Sequence, residues 1–396
     1  MAAANDGQTN IGGNDMNRMS GLFAVTALVA GLCGAARAET VLTVATAGDQ
    51  NMVDYINQYL GPKFEATHPG VRVRAVGTGP GDAGSLAIEQ KLMAESKSGT
   101  PTWDIDVAVI HQRGAAQMVS EGLLAKYRND LANSKLVTSQ KAENALGTDV
   151  GGYVLPMFDS QVAIAYQPAL VKSPPHSFAE LVEWTKQNPK QFGYNGIKGG
   201  MAGIGFVMGW VNAYAGLGPR LMAGPYDDAD KPKIDAALEK LKAFNADAVI
   251  TPGNAGTLDM LGRGEIAMGA VWADMFYGWQ QDGRLPPDLK LVLPSPGLPG
   301  QPMYYAIPAK AGQQQLARDF IELATSPEVQ AEGIVKRFNW YPGIDAQYVQ
   351  SQLDPKIWNK LFVDITPQDL KANAKPFPVS PYFTTILNEY ERVVTN

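Results

Sequence analysis

An apolar run from Gly21 to Leu32 stands behind Met16-Asn17-Arg18-Met19 and ahead of the small-residue sequence Ala36-Arg37-Ala38. A short apolar stretch flanked in this way reads as an export leader cut between Ala38 and Glu39, with translation starting at Met1 or Met16. The run is shorter than the ~20 apolar residues that a bilayer crossing needs, and no later segment of the sequence has that character. The leader limits the fold because the one cysteine of the chain, Cys33, lies in the part removed. Residues 39–396 then have neither a disulfide nor a cysteine-ligated metal site, and core burial with ordinary polar pairing must hold them together. Leu32 departs from the small residue expected before a lipid-modified cysteine, so soluble export is the expectation.

A chain of 396 residues is long enough for two domains or one large α/β unit. With 45% hydrophobic and 18% charged residues, 41 Gly and 27 Pro, it is neither a coiled coil, a collagen repeat nor a disordered chain. Thirty-three basic against 39 acidic residues give a formal charge of -6. The charged leader residues Asp6, Asp15, Arg18 and Arg37 cancel, so cleavage leaves that charge unchanged. No Lys/Arg block is present to follow a phosphate backbone, which argues against a nucleic-acid partner.

After the leader, Val41-Leu42-Thr43-Val44-Ala45 reads as a strand, Met52 to Phe64 as a helix, Val71 to Val76 as a second strand and Ala83 to Lys97 as a second helix. Asp104 to Ile110 adds a strand and Gly114 to Ser120 a helix, which together make an open, mainly parallel α/β sheet. Ligands of such sheets lie beyond the carboxyl ends of the strands. Those ends are Gly48-Asp49-Gln50, Gly77 to Asp82, and His111-Gln112. From Gly151 to Tyr166 two apolar stretches meet at the polar break Asp159-Ser160, a pattern suited to a crossing into a second lobe. Ser177 and Glu180 have capping-box spacing. Helices near Pro232 to Leu241 and Asn254 to Leu261, with strands at Ile266 to Trp272 and Leu289 to Pro294, build that lobe. Met303 to Pro308 and the helices after Gln313 and Ser326-Pro327 return to the first. The expected fold is α/β, two lobes with interwoven open sheets and a ligand cleft between them. Its expected boundaries are 1–38 for the leader, 39–158 plus 295–396 for the first lobe, and 159–294 for the second.

The β1 segment, Phe64-Glu65-Ala66-Thr67-His68-Pro69-Gly70-Val71, the crossing from Tyr153 to Tyr166, Gly262-Arg263-Gly264-Glu265-Ile266-Ala267-Met268, and Ala324-Thr325-Ser326-Pro327-Glu328-Val329-Gln330 together resemble a bacterial periplasmic extracellular solute-binding protein of an ABC importer. The resemblance covers nearly all of the chain after the leader. It implies the two-lobed periplasmic-binding-protein fold, hinge closure on a small ligand, a periplasmic location and delivery to an ABC permease at the inner membrane, and the chain is expected to act as a monomer. Subgroups of that family recognise sugars, polyols, polyamines, thiamine-like cations, phosphorylated compounds or iron.

Candidate ligand contacts follow from position and residue chemistry. Asp49, Gln50, Asp82 and His111 occupy strand-end loops, Gly77 to Asp82 lacking the lysine of a nucleotide-phosphate loop. Asp49 and its neighbours equally suit a polar turn, with Asn51 capping the helix behind it. Asp159 and Ser160 lie at the crossing, where they offer an acceptor and a hydroxyl or simply satisfy a turn. Trp272 and Asp274 bracket a strand end as a wall and an oriented acceptor. Trp210 with Asn212, Tyr304 with Tyr305, and Trp340 with Tyr341 offer aromatic faces, for which core packing is the competing role. Such faces suit sugar C–H surfaces and organic cations alike. Side-chain amides and water suffice for a neutral polyol, whereas Asp49, Asp159 and Asp274 all pointing inward would favour positive nitrogens. A sugar or polyol is the first expectation and a thiamine-like or polyamine cation the second.

Other chemistries have weaker support. Three histidines without a cysteine cluster do not form a zinc motif, so no resident metal site or cofactor is expected, while iron binding stands as a further alternative. The adjacent Tyr304 and Tyr305 resemble a tyrosine pair of some iron-binding members, although neighbours in a strand face opposite ways. No carboxylate pair has a defined glycosidase separation, and Ser160 lacks a G-x-S-x-G elbow. A secreted hydrolase or an adhesion module therefore ranks behind a non-enzymatic binding protein.

Overall fold

β1 (Thr40–Ala47), β2 (Val71–Gly79) and β3 (Val107–Ile110) form a parallel array in the order β2-β1-β3 in the computed structural model, which describes residues 39–395. The leader expected over 1–38 and Cys33 lie outside the described residues. Side-chain alternation explains why this sheet is buried on both faces. Leu42 and Val44 of β1 and Val107 and Val109 of β3 enter one core, whereas Ala45, Ala47, Ala108 and Ile110 enter another on the opposite face. That is the period of two expected of a pleated strand covered by helices on both sides.

The long strand β4 (Val154–Tyr166) joins this region to the second. The further strands are β5 (Phe192–Tyr194), β6 (Val249–Ile250), β7 (Met268–Trp272), β8 (Lys290–Val292) and β9 (Leu298–Ala306). β9 runs antiparallel to β3, with Tyr305 opposite Val109, and to β4, with Gln301 opposite Ser160. Past Gln161, β4 pairs antiparallel with β7, Val162 opposite Trp272, and with β8, Leu291 opposite Ala165. β5 lies parallel between β7 and β6. The Asp159-Ser160 break, read as a crossing between lobes, sits inside one 13-residue strand about 40 Å long. The backbone ladder stays continuous because a new partner takes over where β9 ends.

Two helix details differ from expectation. The helix expected over Met52 to Phe64 runs from Gln50–Tyr55 through a π-helical stretch, Ile56–Leu60, into Gly61–Thr67. Pro62, which lacks an N–H and crowds the preceding turn, follows that widening directly. At Ser177 the hydroxyl accepts the Glu180 N–H at 3.2 Å, but the Glu180 carboxylate accepts from the N–H of His176, not of Ser177.

The second region packs Phe178, Phe192, Phe206, Trp210 and Phe244 into its own core. The helix Ser380–Tyr390, expected with the first lobe, adds Tyr382, Phe383 and Ile386 to this second core. Tyr382 donates to the buried Asp230 at 2.6 Å, and the Tyr390 and Tyr194 hydroxyls meet at 3.2 Å. The lobe boundaries proposed from this packing keep 39–158 in the first lobe and 159–294 in the second, with the segment from Phe377 onward moved to the second.

Candidate functional site

The carboxyl ends of β1, β3 and β7 converge on one chamber with the middle of β4 and β9. Gly48, Asp49, Met52 and His111 line it from the first region, Ser160, Gln301 and Met303 from the shared strands, and Met201, Asn254, Trp272, Asp274 and Met275 from the second. Phe158 and Gly81 complete the wall. The chamber holds about 40 Å³, a few times the ~10–15 Å³ needed by one water on that measure. It adjoins a groove of about 610 Å³ lined by Gln50, Asp54, Trp279, Arg284, Arg337 and Trp340, with Asp49 and Met275 shared by both spaces.

Hydrogen bonds cross between the two regions at the chamber. Asn254 Nδ2 donates to Asp49 Oδ2 at 3.2 Å, and Asn51 Nδ2 donates to Asp274 Oδ2 at 3.3 Å. Each region therefore contributes one carboxylate and one amide to a reciprocal pair. Ser160 Oγ donates to Asp274 Oδ1 at 2.5 Å, and the pairing of β4 with β7 brings these two side chains together. Burial pushes the Asp274 carboxyl up to about 6, against the opposing Ser160 hydrogen bond and with a further upward push from the charge of Asp49. Asp49 is raised as well, chiefly by burial, with the Asn254 bond opposing. Burial lowers His111 to about 4, leaving its imidazole neutral at pH 7. Its Nδ1 lies 3.3 Å from the Ser85 hydroxyl.

Of the expected contacts, Asp49, His111, Ser160, Trp272 and Asp274 meet at the chamber. Gln50 lies in the groove, bonded to Asp54, and Asn51 extends to Asp274 instead of capping its helix. Asp82 faces a separate surface depression beside Arg113, at 3.5 Å. Asp159 is held in an ion pair with Lys141, turned away from the chamber. Trp210 is a core residue whose indole donates to the Ala237 carbonyl at 2.8 Å, and Asn212 lies half-buried on the same helix, off the chamber. Tyr304 and Tyr305 are fully buried and enter opposite cores, Tyr304 donating to the Lys141 carbonyl. Strand alternation thus removes the pair as a joint iron ligand, and among the described residues no cluster of three or more His, Cys, Asp or Glu is placed to hold a metal ion. Trp340 packs against Phe158 with ring centroids 4.6 Å apart and reaches only the groove, while Tyr341 stacks on Phe362.

Asn254, Gln301 and the four methionines are chamber residues that sequence reasoning missed. Pro252-Gly253 before the helix Asn254–Gly262 signalled a helix start, from which Asn254 was legible as a strand-end-like position. For the methionines no local signal exists, since core and pocket methionines look alike in sequence.

Trp210→Ala is expected to destabilise the protein by about 3–5 kcal/mol, the cost of emptying a large core position. Urea unfolding of the variant checks this, with ligand affinity at sub-denaturing conditions unchanged. A loss of affinity without a loss of stability would return Trp210 to the site.

Residues 60–346 match the family described as bacterial extracellular solute-binding protein. The chain belongs to that family. No curated protein matches the sequence. Among solved structures, the spermidine/putrescine ABC transporter substrate-binding protein PotD from Streptococcus pneumoniae, crystallised with calcium and HEPES, superposes with a TM-score of 0.65 at 16% identity, covering 90% of this chain and 99% of that one. Iron-bound HitA from Pseudomonas aeruginosa gives 0.64 at 17% identity, with coverages of 89% and 99%. A periplasmic thiamin binding protein gives 0.61 at 18% identity, with coverages of 90% and 96%. This solute-binding protein has the two-lobed fold of those structures, and the chamber lies where its two sheet regions meet. Proteins of this kind bind a small ligand and deliver it to an ABC permease; they are transport proteins, not enzymes. No described helix is long and apolar enough to cross a membrane.

Proposed function

We propose that this solute-binding protein captures a small organic cation in the periplasm, as a monomer, and hands it to its permease. The observation that carries the reading is the pair of carboxylates, the buried Asp274 and the half-buried Asp49, lining one chamber that has no Lys or Arg among the described residues. The one ionisable base there, His111, is neutral at pH 7. Two carboxylates taken out of water in one small space are costly unless a positive charge joins them. A neutral sugar offers no such compensation, and most of the aromatic residues expected to stack on one pack in cores instead. Spermidine/putrescine and thiamin, named for two of the similar structures, are organic cations.

The dimensions refine the class. About 40 Å³ accommodates an ammonium head but not a hexose ring. The groove beyond Asp49 offers room for the remainder, along Trp279, Trp340 and the Asp54 carboxylate. Cation–π attraction to Trp272 and the soft sulfur-lined walls from Met52, Met201, Met275 and Met303 suit the carbon atoms next to a charged nitrogen.

A thermal-shift and calorimetry panel of spermidine, putrescine, thiamine, glucose and glycerol tests this. A cationic solute present at 100 times its dissociation constant is expected to stabilise the protein by about 2.7 kcal/mol, whereas the neutral compounds leave it unchanged. Binding of glucose or glycerol with no response to any amine would overturn the cation reading and restore the sugar or polyol.

A further inference from the structure

Asp274 accepts from Asn51 and Ser160, while Asp49 accepts from Asn254, so that each carboxylate is held by a side chain of the opposite region. The one other ionisable group sharing the chamber with them is His111 from the first region, and among the described residues no Lys or Arg lines it. Further away stand the Lys141–Asp159 ion pair beside Ser160, the Tyr277–Asp364 hydrogen bond on the helix of Asp274, and Asp54, Asp282, Arg284 and Arg337 along the groove. The Asn51 Oδ1 is buried without a partner among the described residues. It belongs to the same amide whose nitrogen faces Asp274, and the orientation of such an amide follows from the hydrogens around it. A proton on Asp274 would turn that carboxyl into a donor, and a rotated Asn51 would accept it.

We propose that the reciprocal Asn–Asp pairs are a proton-dependent clasp, in which a proton on the Asp49–Asp274 pair stands in for the cationic head of the solute, so that the solute and the proton compete to close the cleft. The idea rests on the cation reading for its competing ligand, but the clasp itself belongs to the protein alone. Its sign follows from the burial that raises Asp274. The closed arrangement binds a proton more tightly than a solvated carboxyl does, so the stabilisation is complete below the ordinary value of 3.8 and is lost as pH rises through about 6. The free protein is then open and unprotonated at neutral pH, ready to load, whereas below about pH 6 a cation must displace a proton to load. In acid the clasp closes on a proton and refuses the cation.

Small-angle scattering on dialysed protein tests the clasp without any solute. The radius of gyration is expected to rise between about pH 4 and about pH 6, and in Asp274→Asn the rise is expected to vanish. Asn51→Ala, which leaves the carboxylates in place, is expected to hold the protein open at pH 5, and circular dichroism with a thermal melt shows whether each variant is folded. A radius independent of pH in the parent overturns the clasp, as does an Asp274→Asn variant that follows the parent curve. Calorimetry with spermidine is the second arm, with affinity expected to fall at least tenfold from pH 7.5 to pH 5 and protons released on binding at pH 5. No response to spermidine, putrescine or thiamine alongside pH-dependent closure would sink the cation reading and leave the clasp standing. Tight spermidine binding with no pH effect in either arm would do the reverse.

Discussion

Replacing Asp274 by Asn is expected to weaken capture of a cationic solute by about 30- to 5,000-fold at pH 7.5, the range that corresponds to losing about 2–5 kcal/mol at a buried, hydrogen-bonded charge pair. The substitution keeps the shape and the contact to Ser160 but removes the charge that the solute would neutralise. Asp49→Asn is expected to act in the same direction and less strongly, because Asp49 also borders the groove and is less enclosed. The double variant should lose less than the sum of the two. Once one carboxylate has gone, the other no longer suffers its repulsion, and two groups reading one positive charge are coupled. Calorimetry of the four proteins against spermidine checks each step. Unchanged affinity in Asp274→Asn would mean that the head of the solute lies elsewhere.

The carboxylates being divided between regions also bears on closure. A ligand shifts an open–closed equilibrium only by the difference between its affinities for the two forms. A cation placed between Asp49, from the loop after β1, and Asp274, from the start of the helix Ala273–Gln281, meets both charges only when the lobes approach. Nearly all of the electrostatic gain therefore belongs to the closed form, which is the condition for binding energy to drive hinge motion and for a permease to distinguish loaded from empty protein.

The fold was legible in the sequence wherever local periodicity determined it. The parallel β1, β2 and β3 array, its helices and the site loops at its strand ends follow from alternating apolar positions and Gly-rich breaks. The course of β4 through Asp159-Ser160 was not legible, because partner exchange between β9 and β7 is a non-local property of the sheet. Nor was the docking of Ser380–Tyr390 onto the second core, which depends on Tyr382 meeting Asp230 across 152 residues. In the chamber, the polar residues at strand ends were legible, whereas aromatic residues were misleading. Trp210, Tyr304, Tyr305 and Trp340 each have an apolar neighbourhood that the sequence does not distinguish from a pocket wall. Asn254 and Asn51 acquire their roles only from carboxylates distant in sequence, those of Asp49 and Asp274.

Gly81→Val is expected to lower solute affinity by about 5- to 150-fold with little change in the solute contacts themselves. Gly81 has φ +64°, and a Cβ added there would lie 3.3 Å from the Gly200 Cα and 3.6 Å from the Met201 Cγ of the opposite region. A Cβ alone is accommodated by a small shift, but the two valine methyl groups beyond it have no room unless the lobes separate. Overpacking of about 1–3 kcal/mol that acts only on the closed form reduces the closed population by the corresponding factor, and the apparent dissociation constant rises by the same amount. Left-handed backbone strain is a competing cause of any loss, costing about 1–2 kcal/mol for a residue with a Cβ. Gly79→Val separates the two, since Gly79 also has a positive φ, +102°, yet a Cβ there meets nothing within 4 Å. Both variants should lose thermal stability through strain, but only Gly81→Val should lose affinity and show a larger radius of gyration with spermidine present. Equal losses of affinity in the two would trace the effect to strain in the loop after β2, and the close approach of Gly81 to Gly200 would then carry no part of closure.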